Sequence, residues 1–237
     1  MKTIKRIKKL TEAVAFASKN FDRKVTVADI GTDHGYLAES LSKQNFVEKI
    51  VATDISEKSL SKLENLIEKE SLNKIETRLG NGLEPIKNVD LTVIAGLGGF
   101  EMITMLNSQN QGENGGRKCD IFVLQPTQNV VELRRFLSKK KVAVLSDRVI
   151  EDAERFYPII VVDVSKKSKL KPSVFNIWLG RDNVTSDADF YAFLVNQREF
   201  LLFLKNLPKF RILRDKVLRE KLKLLHLIEK LLNVWYY

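Results

Sequence analysis

The chain is poor in the residues that build disulfide scaffolds, fibres and metal clusters. Of its 237 residues one is cysteine, Cys119, so no internal disulfide can form. Five prolines and eleven glycines are too few for collagen-like or linker-dominated sequence. With two histidines and one cysteine, no ligand-spaced His/Cys set exists, and no structural metal is expected. No apolar run is long enough to span a bilayer and no basic-then-apolar leader pattern is found. The expectation is a protein of the reducing cytoplasm with no membrane partner. What remains is 44% apolar and 30% charged sequence, enough for a globular core, at a length that fits one α/β domain plus an appendage.

Charge is unevenly placed. Lys and Arg total 40 against 30 Asp and Glu, a net of +10. Up to Val164 there are 25 basic and 23 acidic residues, and after it 15 and 7. A nearly neutral body with a basic extension steers phosphate-bearing partners, nucleic acid ahead of a membrane surface. A solvated basic face without a partner is the alternative.

Residues 1–20 read as a helix, with Ile4, Ile7, Leu10 and Val14 at three- and four-residue spacing and an outer face rich in lysine. From Val25 short β-branched runs alternate with amphipathic helices, the pattern of βαβ units on a parallel sheet. Strands are expected at 25–30, 49–54, 75–79, 90–95 and 120–125, with helices near 34–44, 57–71, 98–108 and 128–140. The runs 142–150 and 157–164 fit a hairpin joined by Glu151–Phe156. The polar stretch 108–118 reads as a surface loop. Pro208 divides the tail into two helices, roughly 187–206 and 209–234. In the second, Leu213, Val217, Leu224, Leu227, Leu231 and Val234 form a heptad-like seam broken at Glu220. The expected organisation is a domain at 1–165, a connection at 166–186 and a basic helical hairpin at 187–237.

Four motifs fall at the carboxyl ends of the first four strands. In VADIGTDHGYL, residues 27–37, a strand runs through Asp29 and Gly31 into a helix, where glycine lets the turn pass close to a ligand and the helix offers free N–H groups. The dinucleotide fingerprint G-x-G-x-x-G is absent. Asp29 and Asp33 flank the turn, and two acids repel a pyrophosphate but suit the sulfonium and amino groups of S-adenosylmethionine. Asp54, ending the second strand, can accept ribose hydroxyls, or cap the next helix. In GNGL, residues 80–83, Asn81 can meet an adenine edge while Gly82 admits the backbone. In IAGLGG, residues 94–99, Gly96, Gly98 and Gly99 stand where an acceptor would approach a methyl donor, or form a tight turn. Together the four favour a methyltransferase over a generic Rossmann-like domain.

The runs VADIGTDHGYL, VATDIS, GNGL and VIAGLGGFEMI resemble those of the bacterial tRNA (adenine-22-N1)-methyltransferases, whose pattern is close to ADIGSDHAYLP, a strand ending in Asp, GDGL and IAGMGG. The likeness spans about residues 1–180, and the basic hairpin is similar in place to that family's coiled-coil domain. This chain has Thr32 for Ser, Gly35 for Ala, Asn81 for Asp and Leu97 for Met, and Lys9-Leu10 where Arg-Leu is usual. The resemblance implies a Rossmann-like class I methyltransferase, a doubly wound, mostly parallel seven-stranded α/β sheet, that uses S-adenosyl-L-methionine on tRNA. The cofactor-binding set is then Asp29, Gly31, Thr32, Asp33, Gly35, Asp54, Ile55, Asn81, Gly82 and Gly96.

Adenine N1 is unprotonated at neutral pH, so its methylation needs alignment more than a base. The product is cationic. A carboxylate accepting from the exocyclic amine would stabilise it, and Asp33 is the candidate, with His34 and Tyr36 positioning the base; a helix-terminal hydrogen bond for His34 and core packing for Tyr36 are the alternatives. The RNA-binding set is Lys5, Arg6, Lys9, Arg211, Arg214, Lys216, Arg219, Lys221 and Lys223. A monomer without an obligate protein partner is expected. Three other readings stay open on sequence: a small-molecule or protein methyltransferase, an RNA-binding protein with a vestigial cofactor site, and a hairpin that serves oligomerisation.

Overall fold

The computed structural model describes residues 4–108, 119–169, 173–183, 187–206 and 216–233. After helix α1 (Ile4–Ser18), strands and helices alternate: β1 (Val25–Ile30), α2 (Tyr36–Ser42), β2 (Val47–Asp54), α3 (Glu57–Glu70), β3 (Ile75–Leu79), β4 (Leu91–Ala95), α4 (Gly99–Ser108), β5 (Ile121–Gln125) and α5 (Val130–Lys139). Then come β6 (Val142–Asp152), β7 (Arg155–Lys167), α6 (Val174–Leu179), α7 (Ala188–Asn206) and α8 (Lys216–Asn233). The strands form one sheet in the order β3-β2-β1-β4-β5-β7-β6. The first five run parallel and β7 is antiparallel to both neighbours. This is the doubly wound α/β arrangement expected, with a Rossmann-like core.

Period-two alternation builds the layers. Val25, Val27, Leu91, Val93 and Val123 face α1, α2 and α3 in one buried cluster. Ala28, Ile30, Ile94, Phe122 and Leu124 face α4 and α5 in the other. Helix α1 is held from outside as well as from beneath: the Arg6 N–H donates to Asp152 Oδ2 at 3.1 Å, and Lys5 Nζ pairs with Asp189 Oδ1 at 2.8 Å.

Several boundaries move for local reasons. Helix α2 begins at Tyr36, two residues later than read, because Asp33 and Gly35 lie in the left-handed region. The β6–β7 hairpin closes at Asp152 and Arg155, tighter than the expected Glu151–Phe156 link. Its two central residues, Ala153 and Glu154, have φ of 49° and 60°, the mirror-image turn whose twist matches paired strands. The loop expected at 108–118 lies almost wholly outside the described residues, as do Leu213 and Val234 of the seam.

Helices α7 and α8 pack against each other, and the buried stripe of α8 is Leu224, Leu225, Ile228 and Leu232: of the expected seam it keeps Leu224, with Leu231 half-buried against it, and adds residues beside that seam. The stripe is wider than a coiled-coil seam because α8 meets α6 as well as α7, in a cluster that Leu179 of α6 and Val149 of β6 share. The connection expected at 166–186 carries a short helix, α6, in its described part 173–183. Within this region Arg134 of α5 and Asp147 of β6 form a buried two-point ion pair at 2.9 and 2.7 Å, and Arg134 also donates to the Trp178 carbonyl at 3.1 Å.

Removing one partner of that pair strands a buried charge, whereas removing both does not. Arg134→Met is expected to cost about 3–5 kcal/mol in chemical denaturation. Adding Asp147→Leu should recover part of the loss.

Candidate active site

The turn after β1 is held by backbone positions that glycine favours. Gly31 and Gly35 have φ of 70° and 72°. The N–H groups of Gly31 and Thr32 both donate to the Thr53 carbonyl, at 2.8 and 2.9 Å, fastening this turn to the end of β2. Asp54 completes the fastening, Oδ2 accepting from the Asp33 N–H at 3.0 Å and Oδ1 from the Ser56 N–H at 2.9 Å. The cap of α3 is Ser56, which accepts from the Ser59 N–H, so Asp54 is not the helix cap. Each Asp54 oxygen keeps a further lone pair, enough for two hydroxyl donors.

A Cβ placed on Gly31 or Gly96 would meet nothing within 4 Å, although both sit at positive φ. These glycines therefore border open space. Gly35 differs: its Cβ would lie 2.3 Å from Leu63 Cδ1, so it packs α2 against α3. Gly98 and Gly99 also depart from expectation. The Gly98 N–H donates to Glu101 Oε2 at 2.6 Å, and a Cβ on Gly99 would lie 2.3 Å from the Asn129 carbonyl, so this pair packs loop on loop instead of facing an acceptor.

The open space is a cleft of about 590 Å³ at the carboxyl ends of β1, β2, β3 and β4. Asp29, Gly31, Thr32, Asp33, Asp54, Ile55, Asn81, Gly82 and Gly96 all border it, as do His34 and Tyr36. Gly35 stands behind it. Sequence reasoning did not place Arg6, Leu10, Glu101, Met105 and Thr127 at this wall. Helical spacing marks Leu10 only as apolar, and no local motif links α1 or the turn after β5 to the first strand.

Asp29 is buried, and the Thr32 hydroxyl donates to its Oδ2 at 2.8 Å. Burial pushes its carboxyl up to about 6; the Asp54 charge adds to the rise, while Thr32 and the Ala38 backbone oppose it. On the rim, Asp33 Oδ2 is 2.6 Å from His34 Nδ1, off the ring N–H axis, a contact of charge that is complete only when the imidazole is protonated. The His34 and Tyr36 rings lie parallel, 3° apart with centroids at 5.7 Å, and Tyr36 is 45% exposed. Lys5 and Lys9 of the expected RNA set pair with Asp189 and Glu12, while Arg6 lines the cleft. Lys221 and Lys223 reach the surface of α8; Arg211 and Arg214 lie outside the described residues, and Lys216 and Arg219 fall on the first turns of α8.

Strand order and cleft together define a Rossmann-like class I methyltransferase. The chain belongs to the methyltransferase-domain family, whose profile matches residues 5–160. MG248 of Mycoplasma genitalium, described provisionally as a tRNA methyltransferase, is 33% identical over 165 residues, 68% of this chain and 72% of that protein. The tRNA (adenine(22)-N(1))-methyltransferase of Bacillus subtilis is 26% identical over 162 residues, 67% of each chain. The solved structure of M. capricolum TrmK with S-adenosyl-homocysteine superposes with a TM-score of 0.72 at 24% identity, covering 94% of this chain and 97% of that one. The cofactor of this class, S-adenosylmethionine, fits the residues present: gaps at Gly31 and Gly96 for its backbone-close approach, spare acceptors on Asp54 for ribose, and a buried carboxyl at Asp29 for its cationic end.

The raised Asp29 value has a definite sign. Between about pH 4 and 6 the folded state holds a proton that the unfolded chain has released, so this group adds stability as pH falls from 7 and subtracts it as pH rises. Asp29→Asn is expected to raise stability above pH 7, by up to about 3 kcal/mol, and to flatten that pH dependence in urea titrations. Affinity for S-adenosylmethionine should rise from pH 5 to 7.5 in the native protein and stay low and flat in Asp29→Asn.

Proposed function

We propose that this chain transfers a methyl group from S-adenosylmethionine to N1 of an adenine in tRNA, adenine 22 being the position carried in the name of its Bacillus relative. The observation that carries the reading is a donor cleft whose rim presents a parallel aromatic pair beside a carboxylate. His34 and Tyr36 offer a face on which an unstacked base can lie, and Asp33 stands next to them.

When bound, the cofactor supplies an electrophilic methyl: the N1–carbon bond forms as the carbon–sulfur bond breaks, and sulfur keeps the electron pair. Asp33 accepts from the exocyclic amine and stabilises the charge that grows on the ring. Its own N–H is held by Asp54, so donor side and acceptor side share one rigid turn. N1 lies on the pairing edge, so a paired adenine must be opened before it reaches the rim.

Lys5, Lys9, Lys221 and Lys223, with Lys216, Arg219, Arg211 and Arg214, supply phosphate contacts. The ion pairs of Lys5 and Lys9 are at the surface and worth at most about 1 kcal/mol, so a phosphate can replace the partner carboxylate. On this reading the enzyme works in the cytoplasm, where tRNA is, and as a monomer. No described helix is long and apolar enough to cross a membrane.

The test is methyl transfer from labelled S-adenosylmethionine to unmodified tRNA, followed by nucleoside analysis. The expected product is 1-methyladenosine; label appearing only on small molecules or protein would refute the proposal. Asp33→Asn should lower kcat by about 10²-fold or more with little change in cofactor affinity. Reversing the charges of Arg211, Arg214, Lys216, Arg219, Lys221 and Lys223 together should weaken tRNA binding and leave cofactor binding intact.

A further inference from the structure

Eight large apolar side chains are exposed among the described residues, and four of them gather at one end of the sheet. Tyr36 follows β1, Ile55 follows β2, Leu79 ends β3 and Phe100 follows β4, so each of the four strands that floor the cleft carries one at its carboxyl end. A single exposed apolar side chain needs no explanation, but four around one opening mark a surface that meets a partner. Ile55 and Leu79 stand on the side of Asp54, with which Leu79 is in register, and Tyr36 belongs to the aromatic pair of the rim. Phe100, 57% exposed, stands alone of the four on the β4 side, across the opening from Tyr36.

Its neighbours Leu97 and Glu101 both border the cleft, whereas Phe100 does not. Helical geometry gives the reason. Helix α4 buries Gly99, Met102 and Leu106 and turns Glu101 and Met105 to the cleft, which leaves Phe100 on its outer face. Cα–Cβ bonds tilt toward a helix's N-terminus, and that end of α4 lies at the carboxyl end of β4, so the ring leans to the surface on which the cleft opens. Its base is tied to the turn after β5. The Gly99 N–H donates to the Gln128 carbonyl at 2.9 Å, and the missing Cβ of Gly99 lets the Asn129 carbonyl pack against it. A phenyl ring outside the cleft meets what stays outside it, not a base that has entered.

We infer that Phe100 inserts into the base stack from which the target adenine is drawn, filling the gap that the base leaves while His34 and Tyr36 hold it on the opposite lip. The inference rests on the tRNA reading above and names the residue that opens the substrate. Unstacking a nucleotide is unfavourable by itself, and apolar wedges offset that cost in proteins that kink or open a helix. A phenyl face stacks on any base, so the wedge sets no sequence preference and leaves the choice of target to tRNA shape and to the rim.

Two tRNA transcripts isolate the opening step: the unmodified transcript, and the same one with an abasic unit in place of the nucleotide paired with the target adenine, so that the base is already unpaired. Phe100→Ala is expected to lower kcat/KM for methyl transfer roughly 10- to 100-fold on the first and by less than about 3-fold on the second. Phe100→Leu, apolar but without a ring, should fall between on the first. With 2-aminopurine in place of the target adenine, saturating native protein should raise the fluorescence as the base unstacks, and saturating Phe100→Ala should not. Affinity for S-adenosylhomocysteine is the folding control and should stay unchanged. An equal loss on both transcripts, or a fall in S-adenosylhomocysteine affinity, would mean a role in chemistry or folding and overturn the inference. No loss on either transcript, or a full fluorescence rise with Phe100→Ala, would also overturn it. If the native protein methylated neither transcript, the tRNA reading itself would fail and this inference with it.

Discussion

A parallel sheet that grows in both directions from its first strand must part its loops at that strand, and the rest of this site depends on that parting. From β1 the chain steps to β2 and β3 on one side, then returns to place β4 and β5 on the other. The loops after β1 and β4 therefore leave in opposite directions, and a crevice opens between them. Gly31 and Gly96 sit on its two lips, at positive φ and facing empty space. The cleft is thus a consequence of topology before any side chain is considered.

Side chains then make the crevice chemical. Asp54 ties the β1 turn to its own strand end through the Asp33 N–H, and the Thr53 carbonyl takes two further N–H groups from the same turn. The backbone of the turn that carries Asp33 is therefore fastened to the end of β2 at three N–H groups. Rigidity has a cost at Asp29, buried beneath the turn with a carboxyl pushed up to about 6. A cationic ligand relieves that cost, which links binding energy to a strain already present in the free protein.

The basic tail is joined to this body by a buried core rather than by a tether. Leu179, Phe190, Leu194 and Leu201 meet Val149 of the sheet and the α8 stripe in one cluster. Lys5 of α1 reaches Asp189 on α7, so the first helix touches both the cleft and the tail. That arrangement makes α1 a wall of the cleft and a contact of the tail at once.

Strand and helix identities, the carboxyl-end position of each motif and the cluster of Asp29, Asp33, Asp54, Asn81 and Gly96 were legible in the chain itself, because period-two and period-3.6 patterns and glycine turns are local properties. The same locality explains what was not legible. Gly98 and Gly99 look like their neighbour Gly96 until the Asn129 carbonyl is seen 2.3 Å from where a Cβ would stand. The α8 seam looked like a two-helix heptad until α6 supplied a further partner. Arg6 looked like one more lysine-face cation until the β6–β7 turn, about 150 residues later in the chain, brought Tyr157 under its guanidinium. Sequence determines which faces are apolar and where the backbone can turn; only the packing of distant segments decides which polar group loses its water and so which one is left to bind a ligand.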